Sequence, residues 1–331
     1  MAIQQMLLGA GGAKEYKWYG SRATFGGGWH QENGIQYVTV ASLGNASSFG
    51  NIGPSPAWKR YNIQQGGPCA GEGRGMFLGG QYSHSPYSFL QDVNYITIAT
   101  TGNGTSFGNL TSATARGAAG SNGELCLTVG GYVSPSPGPY SNIIEYFTIA
   151  TTGNSTDYGD LNSGTDAMGG FCNAERGIFA GGTGNDGEGG CSGPYTEQIQ
   201  AFAMPGTANA SDIGNLIQAR GYMGCVSDKT RGVWCGGYSP CNTHGGYDKV
   251  LMDYVTIATA GNAIDFGDLD DKTQSGNCCG SEVRGILGGG SQSQPAPNQA
   301  IQYFTIQTAG NASDFGDLAT ATNGAVGNAG D

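Results

Sequence analysis

An all-β fold, a six-bladed β-propeller of four-stranded antiparallel blades, is predicted by three features of the chain. One unit recurs six times, its pieces read as short strands bounded by turn residues, and 62 of the 331 residues are glycine. Glycine at that density disfavours helices, because it loses more backbone entropy on folding than any other residue. No window carries a sustained 3.6-residue apolar period. The glycines have no every-third-residue spacing, which excludes a collagen helix. A hydrophobic share of 38% with 10% aromatics is enough to build a core.

The best-preserved part of the unit reads Tyr-x-Thr-Ile-Ala-Thr-x-Gly-Asn-Ala-x-Asp-Phe-Gly-Asp-Leu. Copies begin at Tyr37, Tyr95, Tyr146, Ala201, Tyr254 and Tyr303. Its Tyr-x-Thr-Ile start alternates bulky β-formers with small or polar residues, as a third strand should. The Gly-Asn pairs at 44–45, 102–103, 153–154, 261–262 and 310–311 are expected to supply the positive φ angles of a tight hairpin. The fourth strand returns through Phe49, Phe107, Tyr158, Ile213, Phe266 and Phe315, each at the same offset and each followed by glycine. A second strand is read from Arg-Gly-x-x-x-Gly-Gly at 74–80, 176–182, 231–237 and 284–290, with degenerate copies at 22–28 and 125–131. The small-residue run before it makes the first, innermost strand. Such a sheet buries both faces only when stacked against neighbours, which is the propeller arrangement.

The ends of the chain suggest how the ring closes. Residues 319–331 have the length and texture of a first strand without its second, and 22–28 form a second strand without its first. Pairing them makes 21–331 one propeller and leaves 1–20 as an N-terminal arm. The rival assigns 7–21 to the missing strand, but Glu15, Lys17 and Trp18 suit a crowded inner strand poorly.

An arginine-bearing strand ending in Gly-Gly, then a tyrosine strand and an aromatic on the next, resembles the Kelch repeat. Phe49, Phe107, Tyr158 and Phe266 stand where Kelch repeats carry tryptophan. The wording Thr-Ile-Ala-Thr-x-Gly-Asn-Ala-x-Asp-Phe-Gly-Asp-Leu also resembles repeat proteins of tailed bacteriophages. That resemblance implies a non-enzymatic virion component, such as a tail fibre, baseplate or capsid-surface protein, made in the host cytoplasm without a signal peptide. Its implied partners are other virion proteins, met through residues 1–20, and host-surface glycan. A cellular Kelch-type interaction module is the alternative, and a Kelch-like copper oxidase with tyrosine and histidine ligands is a third.

Binding is expected where length varies, in the loops joining second to third strands, because variable loops on a fixed scaffold commonly carry recognition. These loops hold Trp29, His30, Tyr82, His84, Tyr87, Tyr132, Tyr140, Tyr195, Tyr238, His244 and Tyr247. Tyrosine and tryptophan offer a flat apolar face with a polar edge, suited to sugars or a protein partner. A formal charge of −11 opposes nucleic acid. No run approaches the roughly 20 apolar residues of a membrane span. Nine cysteines without a CxxC make a poor disulfide framework and lack the usual zinc spacing. Cys69, Cys172, Cys225, Cys278 and Cys279 read as small buried hydrophobes of the inner strands. The repeated arginines are expected to bond carbonyls or turn carboxylates between strands. The aspartate pairs at 157/160, 265/268 and 314/317 are expected to act in turns, and the Asn-x-Ser/Thr asparagines in side-chain-to-backbone bonds. No nucleophile elbow, metalloprotease, phosphate-loop or dinucleotide motif is present, so no cofactor is expected.

Overall fold

The computed structural model describes residues 17–29, 31, 33–53, 67–81, 89–133, 140–184, 195–239, 249–292 and 297–331. Within them the chain forms six four-stranded antiparallel sheets, the blades of a β-propeller. Blade 1 combines Val326–Gly330, innermost, with Arg22–Gly26, Gly34–Thr39 and Ser47–Asn51. Blades 2 to 6 follow in chain order over 70–109, 118–160, 169–215, 224–273 and 277–317. The register Arg22↔Gly330 through Gly26↔Val326 is the expected closure, with the C-terminal segment supplying the inner strand of the first blade.

The large residue of each fourth strand, aromatic in every blade except blade 4, where it is Ile213, owes its position to a β-bulge. In blade 1 the register passes from Ile35↔Gly50 to Gln36↔Ser48, leaving Phe49 as the extra residue. The same shift occurs in all the other blades. A bulge re-aims one side chain, and here it turns the aromatic into the seam between blades. Phe107 stands edge-on to Tyr95 of its own blade and to Phe147 of the next, with centroids 5.8 and 5.7 Å apart. These seams are the core: Cys69, Met76, Val93 and Phe107 of blade 2 pack with Ala119, Cys126 and Phe147 of blade 3. Burying one such phenylalanine contributes about 1.5–3 kcal/mol.

The Gly-Asn pair does not form the expected hairpin turn. That turn comes earlier, closed by Ser42 N–H to the Thr39 carbonyl at 3.1 Å and by matching bonds in blades 2, 3, 5 and 6. Gly-Asn instead grips the preceding blade. Gly102 N–H donates to the Phe49 carbonyl at 2.9 Å, and the Asn103 side-chain oxygen accepts from Asn51 N–H at 3.0 Å. Asn154, Asn209, Asn262, Asn311 and Asn45 accept the equivalent amides of Asn109, Asp160, Asn215, Asp268 and Asp317. A Cβ on Gly50 would run into the Gly102 carbonyl, so the glycine after each aromatic is demanded by the neighbour's close approach. The side-chain-to-backbone role expected for these asparagines is correct, but the bonded backbone belongs to the adjacent blade.

Arginines make a second set of ties, all to carbonyls. Arg22, Arg74, Arg176, Arg231 and Arg284 donate to Ile98, Ile149, Ile257, Ile306 and Val40 of the following blade at 2.6–3.1 Å. A third set comes from the residue preceding each third-strand tyrosine, or Ala201 in blade 4. The Gln36 side chain both accepts from and donates to the Thr320 backbone at 2.9 Å, and Glu145, Gln200, Asp253 and Gln302 accept amides of the preceding blade in the same way. Asp265 and Asp314 accept the amides of Gly267 and Gly316, the turn role expected of them.

Two details depart from or extend the sequence reading. Cys69 and Cys126 form a disulfide linking blades 2 and 3, although the cysteine pattern suggested none. Spacing in sequence carries no information about two strands that meet only because the blades stack. Cys172, Cys225, Cys278 and Cys279 are buried free thiols, and burial pushes each thiol pKa up, so they remain protonated. Of the expected arm, residues 1–16 lie outside the described residues, while Trp18 and Tyr19 are buried. Trp18 donates its indole N–H to Ser227 Oγ at 3.3 Å, and Gly20 N–H bonds the Gly280 carbonyl at 3.1 Å. This segment therefore packs on the inner-strand ends of blades 5 and 6.

Candidate ligand-binding face

Antiparallel connectivity places two kinds of loop on one face of the ring: those joining second to third strands, and those leading from one blade's outer strand into the next blade's inner strand. The structure ties the two kinds together. Tyr132 and Val133 pair with Ala115 and Thr114, Thr183 and Gly184 with Asp166 and Thr165, and Tyr238 with Gly221. In blades 3, 4 and 5 the residue just past the Gly-Gly is thereby held beside the lead-in to the blade's inner strand.

The lead-in segments make a backbone arc from blade to blade. Ala167 N–H donates to the Arg116 carbonyl, Tyr222 to Ala167, Ser275 to Tyr222 and Gly324 to Ser275, all at 2.8–2.9 Å. All five residues are left-handed, with φ of 59°, 53°, 59°, 54° and 65° in chain order. Such a conformation costs a side-chain-bearing residue about 1 kcal/mol or more, yet two of these positions hold the large side chains of Arg116 and Tyr222.

On this arc and the loops beside it lies a continuous aromatic and polar belt. Phe89 meets Tyr132 with centroids 5.8 Å apart, and Tyr132 meets Tyr140 at 5.6 Å. The Tyr140 hydroxyl neighbours Thr183, whose own hydroxyl donates to Asp166. Arg116 Nη1 lies 3.6 Å from the other Asp166 oxygen and donates to the Tyr222 hydroxyl at 3.2 Å. Beyond Tyr222, Tyr195 and Tyr238 pack with centroids 5.7 Å apart. The belt spans blades 2 to 5.

Burial raises the hydroxyl pKa of Tyr140, Tyr195 and Tyr222, so all three are neutral phenols at neutral pH. Burial also raises the Asp166 carboxyl, while the Thr183 hydroxyl and the Arg116 guanidinium pull it back. A fully buried ion pair supports the belt from below. Arg220, adjacent in sequence to Gly221 and Tyr222, meets both oxygens of Asp253 and donates through Nε to the Gly236 carbonyl at 2.9 Å. It thereby locks the lead-in of blade 5 to the Gly-Gly that precedes Tyr238.

Of the residues expected to bind, Tyr132, Tyr140, Tyr195 and Tyr238 are brought together. Trp29 belongs to blade 1, fixed by its N–H to the Asn323 carbonyl at 2.8 Å and by the Thr322 hydroxyl on its own carbonyl. His30, Tyr82, His84, Tyr87, His244 and Tyr247 lie outside the described residues. Among the described residues, no group of three or more His, Cys, Asp or Glu is placed to hold a metal ion. Sequence reasoning missed Arg116, Asp166, Thr183 and Tyr222. Their signal was residue identity changing from copy to copy inside a segment of fixed length: Arg116, Ala167, Tyr222, Ser275 and Gly324 share one offset after the leucine of the preceding blade.

The fold and this face define a six-bladed β-propeller with a tyrosine-rich loop surface. No protein-family model matches the chain, and no curated protein matches it in sequence. Solved structures match widely, with 345 chains similar. One of them, described as the structure of YjhT, superposes with a TM-score of 0.67 over 91% of this chain and 98% of its own at 10% identity. At that identity the likeness establishes the fold alone.

Proposed function

We propose that this protein is a non-enzymatic structural and adhesive component of a tailed-phage particle, and that its loop face binds host-surface glycan. The adhesive half rests on one observation, the belt running from Phe89 through Tyr132, Tyr140 and Tyr195 to Tyr238 on the face where loop length varies. Phenol rings give a pyranose apolar contact at little cost in side-chain entropy, and their hydroxyls exchange hydrogen bonds with sugar hydroxyls. The ties described above support the structural half, since they join blades at the rim and fix the loops' bases. The particle assignment rests on the resemblance of the repeat to tailed-phage proteins.

Two measurements test this reading. Mass spectrometry of purified virions should find the chain in particles, and its absence there would overturn the particle assignment. Purified protein should bind immobilised host-surface polysaccharide, and the double variant Tyr132→Ala/Tyr238→Ala should lose that binding while keeping its melting temperature within a few degrees.

A further inference from the structure

Resting on the glycan reading above, we infer that the centre of the belt, Arg116 with Asp166 and Tyr222, is the primary saccharide site and that it takes a neutral pyranose residue. The geometry places this group where neighbouring lead-ins converge. Arg116 opens blade 3 and Tyr222 opens blade 5, yet their side chains meet at 3.2 Å, reaching across Ala167 of blade 4 between them. The corresponding positions of blade 6 and blade 1 are Ser275 and Gly324. Large polar groups thus occupy one side of the arc and small residues the other, and the Arg116 side chain remains 43% exposed there.

Charge decides the class of sugar. Asp166 is 1% exposed and lies against the Arg116 guanidinium, so the cation is already matched by a carboxylate that cannot move into solvent. An acidic sugar would bring a second negative charge to that carboxylate, on a protein whose formal charge is −11. A neutral sugar meets no such opposition. The Arg116 side chain is 43% exposed and still offers N–H donors, which suit the oxygens of vicinal hydroxyls. The phenol oxygens of Tyr140, Tyr195 and Tyr222 accept as well as donate, matching the dual character of each sugar hydroxyl. Keeping Arg116 and Tyr222 left-handed costs stability at two positions where glycine would cost nothing, a pattern found at binding sites.

The test is isothermal titration of the full chain with maltohexaose, cellohexaose, laminarihexaose and mannohexaose, and with oligogalacturonate as the acidic counterpart. At least one neutral hexasaccharide should bind, and oligogalacturonate should neither bind nor compete. Arg116→Asn, chosen because asparagine tolerates the left-handed conformation, should weaken binding tenfold or more at temperatures where circular dichroism shows it folded, with a melting temperature lowered by the loss of the cation beside Asp166. Tyr140→Phe, which leaves the backbone arc intact, should weaken it severalfold. Preference for oligogalacturonate, or full affinity of both variants for a neutral sugar, overturns this site while leaving the glycan-binding reading in place. Binding of no saccharide, neutral or acidic, by the wild-type protein overturns both.

Discussion

The Tyr158 hydroxyl donates to the Ala203 carbonyl at 2.6 Å, joining blade 3 to blade 4. This is the junction where Leu125 occupies the position that carries arginine in the other five blades, and where the fourth-strand aromatic is tyrosine. One hydroxyl thus stands in for a missing guanidinium. Tyr158→Phe is expected to lower stability by about 1 kcal/mol, the usual net worth of a hydrogen bond, measured by urea unfolding. Burial pushes the Tyr158 hydroxyl pKa up to about 12 from 10.0. A folded pKa above the unfolded one means that the contribution is whole below pH 10 and fades as pH rises through about 12. The difference between wild type and Tyr158→Phe should therefore be flat from pH 6 to about 9 and shrink above that.

Arg220 and Asp253 are both fully buried. Removing one partner strands a charge in the core, so Arg220→Met should destabilise by about 3–5 kcal/mol. Position 253 is glutamine in the equivalent sites of blades 1, 4 and 6, namely Gln36, Gln200 and Gln302. The double variant Arg220→Met/Asp253→Gln should accordingly recover most of the loss, because the carboxamide keeps the bond to the Ile217 amide without the charge. Equal destabilisation of single and double variants in denaturant titrations would contradict this account.

Closure by Val326–Gly330 predicts that a chain ending at Leu318 cannot hold a normal blade 1. It loses the whole ladder to Arg22–Gly26 and uncovers Ala23 and Phe25, both 0% exposed. A fall in melting temperature on the order of 10 °C or more, or self-association through the bared edge, is expected. A monomer with an unchanged melting temperature would sink the closure model.

The Asp331 carboxylate accepts the Ser21 amide at 2.7 Å, pinning the last residue to the segment before the first strand. That bond lowers its pKa below 3.8. With the folded value below the unfolded one, the stabilisation is present above about pH 4 and lost as pH falls through the folded value. Asp331→Asn should lie below wild type in melting temperature at pH 6, and the gap should close as pH falls below the ordinary carboxylate range. A constant gap across that range would show that the carboxylate charge plays no part.

Much of the blade was legible because its causes are local. Strand alternation and the fixed spacing of Tyr37 and Phe49 both act within one repeat. The Gly-Asn pair shows where local reasoning stops. Its composition suits a hairpin turn, but its hydrogen bonds go to the preceding blade, and no single-repeat argument separates those uses. The same limit hid the Cys69–Cys126 disulfide, formed between blades whose stacking must be known first. It also hid the centre of the face. Tyr132, Tyr140, Tyr195 and Tyr238 stood out in variable loops, whereas Arg116, Asp166 and Tyr222 sit in short segments of constant length that resemble pure connectors.

The chain by itself determined the fold class, the number of blades and the strands that compose them, because a repeated pattern needing neighbours on both sides of each sheet is satisfied by a closed ring. It favoured 319–331 over 7–21 for the closing strand, and the register Arg22↔Gly330 through Gly26↔Val326 decided it. Tertiary structure alone decided which residues share the face. Arg116, Asp166 and Tyr222 come from three successive lead-ins, and what brings them together is the curvature of the ring acting on backbone hydrogen bonds between blades.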